Sequence, residues 1–175
     1  MKDKISIIVG GSGQFGVYLS QFLLKKRHRV IITSRNIQRA KKKIPFKHKN
    51  LILAKLDVLN KNKIKDLIYR HNPNKIFYFA SQSSPTLSFK NKKKTLDSNF
   101  NGCKNFLEII HKEKKDCKFL NATSSEIFSD TKKKITLKSK KAPISPYGKA
   151  KLSSFNKTKY FREKKKNKSF QCNYF

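Results

Sequence analysis

The chain has 175 residues, enough for one domain with a substantial core, and a hydrophobic content of 37% with 14 phenylalanines supports a folded protein. No apolar run approaches the roughly 18 residues needed to span a bilayer, and a strand begins by Ile5 without the regions of a signal peptide, so no membrane partner and a cytosolic location are expected. The formal net charge of +33 taken alone suggests nucleic acid. Yet the lysine triplets at 41–43, 92–94, 132–134 and 164–166 fall in separate segments, and arginine occurs only six times, so a solvated lysine surface is favoured and no nucleic-acid partner is expected. Cys103, Cys117 and Cys172 form an odd set without metal-ligand spacing and the four histidines are scattered, which indicates neither a disulfide framework nor a metal site.

The stretch from Lys4 to Gly16 reads as a buried β-branched strand running into a glycine-spaced turn and then a helix. Val17, Tyr18, Leu19, Phe22 and Leu23 place an apolar face on that helix. Gly10 suits the positive φ of a tight turn, Gly13 leaves the backbone open to a phosphate, and Gly16 allows helix and strand to lie close. With the unpaired N–H groups of the helix start, where Gln14 and Phe15 lie, this predicts a nucleotide-phosphate site. A glycine-rich hairpin has the same letters, and the following residues decide between the two.

Arg29 to Ser34 reads as a second strand, whose end would meet the adenosine ribose. No carboxylate stands there; Arg35 occupies the place instead, which favours a 2′-phosphate and hence NADP, although an ordinary solvated arginine is the bland alternative. A lysine-rich connection leads to a third strand at 51–56 ending at Asp57, then a helix to about His71 stopped by Asn72-Pro73. The fourth strand, 75–80, runs into the polar loop from Ser81 to Pro85 at the sheet edge where ligands bind. A long helix is predicted from about Lys92 to Lys114 with a stripe of Leu96, Phe100, Cys103, Phe106, Leu107 and Ile110. The fifth strand, 118–122, delivers Ser124 and Glu126 to the same edge.

Ser145-Pro146 then starts a helix, serine as N-cap and proline in the first turn. Tyr147 and Lys151 lie four residues apart on one face, so the ammonium is expected near the phenol, lowering its pKa from about 10. Ser169 to Phe175 begins a sixth strand. Alternating strands and helices make this an α/β chain, a Rossmann-type doubly wound parallel sheet spanning residues 1–175.

The glycine motif after the first strand, Ser124-Ser125-Glu126 after the fifth and the Tyr147…Lys151 pair together resemble the extended short-chain dehydrogenase/reductases. Within them the chain is most similar to the GDP-mannose 4,6-dehydratases, through Gly13-Gln14-Phe15-Gly16-Val17-Tyr18-Leu19, Ala80-Ser81-Gln82-Ser83, Ser88-Phe89 and Ser145-Pro146-Tyr147. The resemblance implies that Tyr147 is the acid/base at the sugar 4-hydroxyl, Lys151 holds the nicotinamide ribose, Ser124 hydrogen-bonds the reacting oxygen and Glu126 removes the C5 proton so that water leaves from C6. It also implies that Asp57 and Val58 meet the adenine, that Ala80 and Gln82 line the cofactor, and that Asn99 is a structural helix asparagine. The substrate implied is a nucleotide sugar, GDP-mannose first.

Val9 stands where the family has Thr, Ser124 where it prefers Thr, and Phe128-Ser129 lacks an expected glycine. The family continues for well over a hundred residues into a C-terminal substrate lobe, which is missing here. A truncated dehydratase is therefore expected, inactive by itself and with an open sixth-strand edge exposing Phe170 and Phe175, so that a homo-oligomer is a further expected partner. The alternatives are a related epimerase or reductase, a non-catalytic NADP-binding remnant, and a nucleic-acid binder.

Overall fold

A computed structural model describes residues 4–113, 116–128, 134–136 and 138–172, with only the backbone described at 171 and 172. Six strands form one parallel sheet: β1 (Ile5–Val9), β2 (Arg29–Ser34), β3 (Leu51–Lys55), β4 (Lys75–Tyr78), β5 (Lys118–Ala122) and β6 (Ser169–Cys172), in the order β3-β2-β1-β4-β5-β6. This is the expected doubly wound arrangement, and the order reverses between β1 and β4. Phe175 lies outside the described residues, whereas Phe170 on the edge strand β6 is 48% exposed, as expected.

The run Ile7-Ile8-Val9 is fully buried because both faces of β1 are covered. Ile7 and Val9 join Ile31, Ile76, Tyr78, Phe106 and Phe119 on one side, where α3 (Lys61–His71), α6 (Gly102–Glu113) and α7 (Pro146–Lys164) pack together. Ile8 joins Val30, Ile32, Leu23 and Leu24 on the other, under α1 (Gln14–Lys25). Among the described residues no helix is long and apolar enough to cross a membrane.

Three predicted features differ. The buried residues of α1 are Gly16, Ser20, Leu23 and Leu24, while Tyr18 and Phe22 are 63% and 56% exposed. The close approach of Gly16 to the Gly11 backbone sets the rotation of the helix and turns those two aromatics outward, with the Lys26 ammonium over the Phe22 ring. The lysine-rich connection contains a helix, α2 (Ile37–Lys43), capped by the Asn36 side chain, which accepts from Arg39 N. The long helix is divided into α5 (Lys92–Leu96), a π turn (Asp97–Asn101) and α6, and an unpredicted short helix, α4 (Pro85–Lys90), precedes it.

The π turn shifts the helix phase by one residue, so Thr95 before it and Asn99 within it are buried while Leu96, part of the predicted stripe, is 44% exposed. The buried Tyr78 hydroxyl donates to the Ser98 carbonyl in this turn at 2.7 Å. Gly102 makes room for it: a Cβ there would lie 2.3 Å from the Tyr78 hydroxyl oxygen and 2.5 Å from Cγ2 of Val58. Gly102→Ala should therefore destabilise the fold by about 1–3 kcal/mol despite the better helix propensity of alanine, read as a lower urea midpoint. A midpoint at or above wild type would show that Tyr78 can leave Ser98 without cost.

Candidate functional site

The carboxyl ends of β1, β2 and β4 open into a cleft of about 1160 Å³. Its floor is the β1–α1 turn. Gly10 has φ +74°, and a Cβ there would fall 2.7 Å from Cα of Ala80, so the turn and the end of β4 touch backbone to backbone. Gly13 is the N-cap of α1, where a Cβ would meet only the Gly10 carbonyl oxygen at an ordinary 3.6 Å, whereas Gly16 packs on Gly11 of the turn rather than on the strand itself. Unlike α2, α4 and α7, α1 has no side-chain cap, and no acidic residue stands in its first turn. Such a helix start favours an anion.

Gly10, Gly13, Gln14, Phe15, Gly16, Arg35, Asp57, Val58, Ala80 and Gln82 all line this one cleft. Asp57 turns one carboxylate oxygen back onto Leu59 N at 3.0 Å, and the Val58 carbonyl accepts from Asn105. The structure adds Arg39 and Lys43, four residues apart on α2, which follow Arg35 along the same wall, and Ser81 on the β4 loop. The spacing of Asn36 before Arg39 is an N-cap signal that could have revealed α2 and with it the second arginine. Lys90, Lys92, Lys93 and Lys94 stand on the opposite rim, where Lys93 pairs with Asp97 at 2.8 Å. Cations at both rims make the cleft attractive to a multiply charged anion.

Ser124, Glu126, Tyr147 and Lys151 form a second cluster, between the end of β5 and the start of α7. Ser124 caps the 3-10 turn Ser125–Ile127 by accepting from Glu126 N at 3.2 Å. Ser145, the expected N-cap, accepts from Gly148 N at 3.0 Å and donates to Oε2 of Glu126 at 3.4 Å, so the start of α7 holds the exposed carboxylate. The Tyr147 N–H donates to the fully buried Ser88 hydroxyl at 3.1 Å. The Ser124 and Ser81 hydroxyls both favour the ionised form of the buried Tyr147 phenol, and Ser81 also lines the cleft, which relates this cluster to it.

The expectation that Lys151 lowers the Tyr147 pKa is not met. Burial pushes the phenol above its usual value, opposed by the Ser124 and Ser81 hydroxyls and reinforced by the Glu126 charge. Lys151 is itself buried, its Nζ donates to the Ala122 carbonyl at 2.9 Å, and it lies 5.7 Å from the centre of the Tyr147 ring. Desolvation brings its own pKa down to about 8, which weakens the cation that was expected to stabilise the phenolate.

A family model described as GDP-mannose 4,6 dehydratase matches residues 7–175. A GDP-mannose 4,6-dehydratase of Vibrio cholerae is 29% identical over 175 aligned residues, covering 93% of this chain and 47% of that protein. A UDP-N-acetyl-alpha-D-glucosaminuronate decarboxylase of Bacillus cytotoxicus is 28% identical, covering 71% of this chain and 38% of that one. The crystal structure of a UDP-glucuronic acid 4-epimerase from Bacillus cereus, in complex with UDP-glucuronic acid and NAD, superposes with a TM-score of 0.87 at 19% identity. The superposition covers 98% of this chain and 56% of the epimerase, a likeness of fold. The chain spans less than half the length of these curated relatives.

Buried Lys151 makes stability depend on pH. Below about pH 8 the folded and the unfolded chain both carry its proton, and the burial cost is present in full. Between about 8 and the ordinary 10.5 the folded amine is neutral while the unfolded one still binds a proton, so stability rises with pH. Relative to Lys151→Met, wild type should gain about 2–3 kcal/mol between pH 7.5 and 10, measured by parallel urea unfolding. A difference independent of pH would show that the ammonium is not desolvated.

Proposed function

This chain belongs to the GDP-mannose 4,6 dehydratase family, and from that premise we propose that it forms the NADP-binding and acid/base part of a nucleotide-sugar 4,6-dehydratase acting on GDP-mannose. The observation that carries the reading is Glu126, a carboxylate held by Ser145 at the start of the helix that presents Tyr147. An enzyme that only oxidises and reduces a sugar carbon needs the tyrosine; one that also expels water from the neighbouring carbon needs a base for C5.

The cleft fits a dinucleotide. The uncapped start of α1, at Gly13 to Gly16, would take the pyrophosphate, Asp57 and Val58 the adenine side, and Arg35 with Arg39 the 2′-phosphate. Ala80 and Gln82 would flank it, with Tyr147 and Lys151 at the nicotinamide end. Bound NADP would supply a hydride acceptor that is restored within each turnover. Tyr147 moves the proton of the sugar C4 oxygen, Ser124 hydrogen-bonds that oxygen, and Glu126 takes the C5 proton, acidified by the adjacent C4 ketone, as water leaves from C6.

Titration calorimetry should find NADP(H) bound more tightly than NAD(H), with Arg35→Ala and Arg39→Ala each reducing that preference about tenfold, the effect of one charge-assisted contact. Equal affinities in the wild type would overturn the NADP assignment.

Joined to the C-terminal half of the Vibrio cholerae relative, the chain should form the 4-keto-6-deoxy product from GDP-mannose. Glu126→Gln should then keep cofactor affinity and lose water elimination at least 100-fold, the scale of general-base catalysis. Elimination at the wild-type rate would favour an epimerase or reductase.

A further inference from the structure

The Ser88-Phe89 pair carries part of the resemblance, and Ser88 makes a contact that the acid/base chemistry does not use. It lies on α4, is fully buried, and meets the start of α7, 59 residues further along the chain. The first N–H groups of a helix have no acceptor within the helix. In α7, Pro146 has none to satisfy, Gly148 donates to the Ser145 hydroxyl at 3.0 Å and Lys149 to the Ser145 carbonyl at 2.9 Å. The N–H of Tyr147 is left over, and it donates to the Ser88 hydroxyl oxygen at 3.1 Å.

A backbone N–H can only donate, so the Ser88 oxygen must accept, and its single proton is free for another partner. That proton goes to the Pro85 carbonyl at the start of the same short helix. The neighbouring Gly148 packs on a different element: a Cβ there would lie 2.3 Å from the Glu126 carbonyl oxygen. The turn that bears Tyr147 is thus held both by α4 and by the 3-10 turn after β5. α4 in its turn borders the cleft through Leu87 and Lys90 and follows the loop from Ser81 to Ser84. We propose that Ser88 is a positioning residue for Tyr147, fixing the backbone of the tyrosine to α4 so that the phenol keeps its place relative to the cleft. This deepens the reading of Tyr147 as the proton-transfer group and rests on it, but its test needs neither cofactor nor sugar.

Amide hydrogen exchange, followed by NMR on the full chain, reads the contact directly. Ser88→Ala should speed exchange of the Tyr147 amide about tenfold, the loss of one hydrogen bond, while the Ser154 and Thr158 amides further along α7 keep their wild-type rates. Ser88→Cys fills similar space but accepts hydrogen bonds weakly, so it should behave as alanine does. With the six tyrosines replaced by 3-fluorotyrosine and Tyr147→Phe assigning the resonance, Ser88→Ala should also move the Tyr147 fluorine signal toward those of the exposed Tyr18 and Tyr69. The signal of Tyr78, buried against the π turn, should not move. An unchanged Tyr147 amide in Ser88→Ala, equal acceleration at Ser154 and Thr158, or wild-type behaviour of Ser88→Cys would overturn the proposal. Failure of NADP or GDP-mannose to bind would leave these measurements standing, so the two readings fail separately.

Discussion

The backbone contact between Gly10 and Ala80 is the constraint on which the cleft depends. A turn at φ +74° carries the chain from β1 into α1 while pressing on the residue that ends β4, and any Cβ would push the two apart. That contact holds the open start of α1 beside the loop of Ser81 and Gln82. It therefore sets the separation between the part of the cleft suited to phosphates and the part that reaches Tyr147. Arg35 after β2, Arg39 of α2 and the lysines of the opposite rim are arranged around a gap whose width the two backbones determine.

Around Tyr147 the interior is polar and closely joined. Asn121 donates to Ser154 and Thr158 at 3.3 and 3.2 Å, and Ser169 donates to the Thr158 carbonyl at 3.1 Å, so β5 and β6 hold α7 partly through hydrogen bonds. The buried positions of α7 are Tyr147, Gly148, Ala150, Lys151, Ser154, Thr158 and Phe161, mostly small or polar. Small side chains bring the helix close to the sheet, and that proximity lets Lys151 reach the Ala122 carbonyl. The result is a buried amine and a buried phenol whose protonation follows desolvation and hydroxyl partners more than their attraction for one another.

Much of this was legible in the sequence. The β-branched runs gave the strands because both sheet faces are covered, and Ser145-Pro146 gave the start of α7 because cap chemistry is local. The same reasoning was available at Ser84-Pro85, where Ser84 caps α4 by accepting from Leu87 N. The π turn was not legible, since a 3.6-residue pattern has no provision for a one-residue phase shift, and Leu96 was misplaced as a result. The outward Tyr18 and Phe22 were missed because an apolar pattern does not report how a glycine contact rotates its helix. The ten residues around the cleft were found from motif and resemblance, whereas Arg39 was missed because the local cap signal at Asn36 was not followed into a helix.

The reversal of strand order has a consequence for how the molecule assembles. Ile5 of β1 pairs with Arg29, whereas Ser6 pairs with Lys75, so the second pairing closes a stretch of chain nearly three times as long. The difference in closure entropy is about 1 kcal/mol. It favours β1, β2 and β3 zipping together as a first half, to which β4 and its successors dock afterwards. The cleft lies along that late seam, and a dinucleotide seated in it would clasp the two halves, linking its occupancy to the final step of folding.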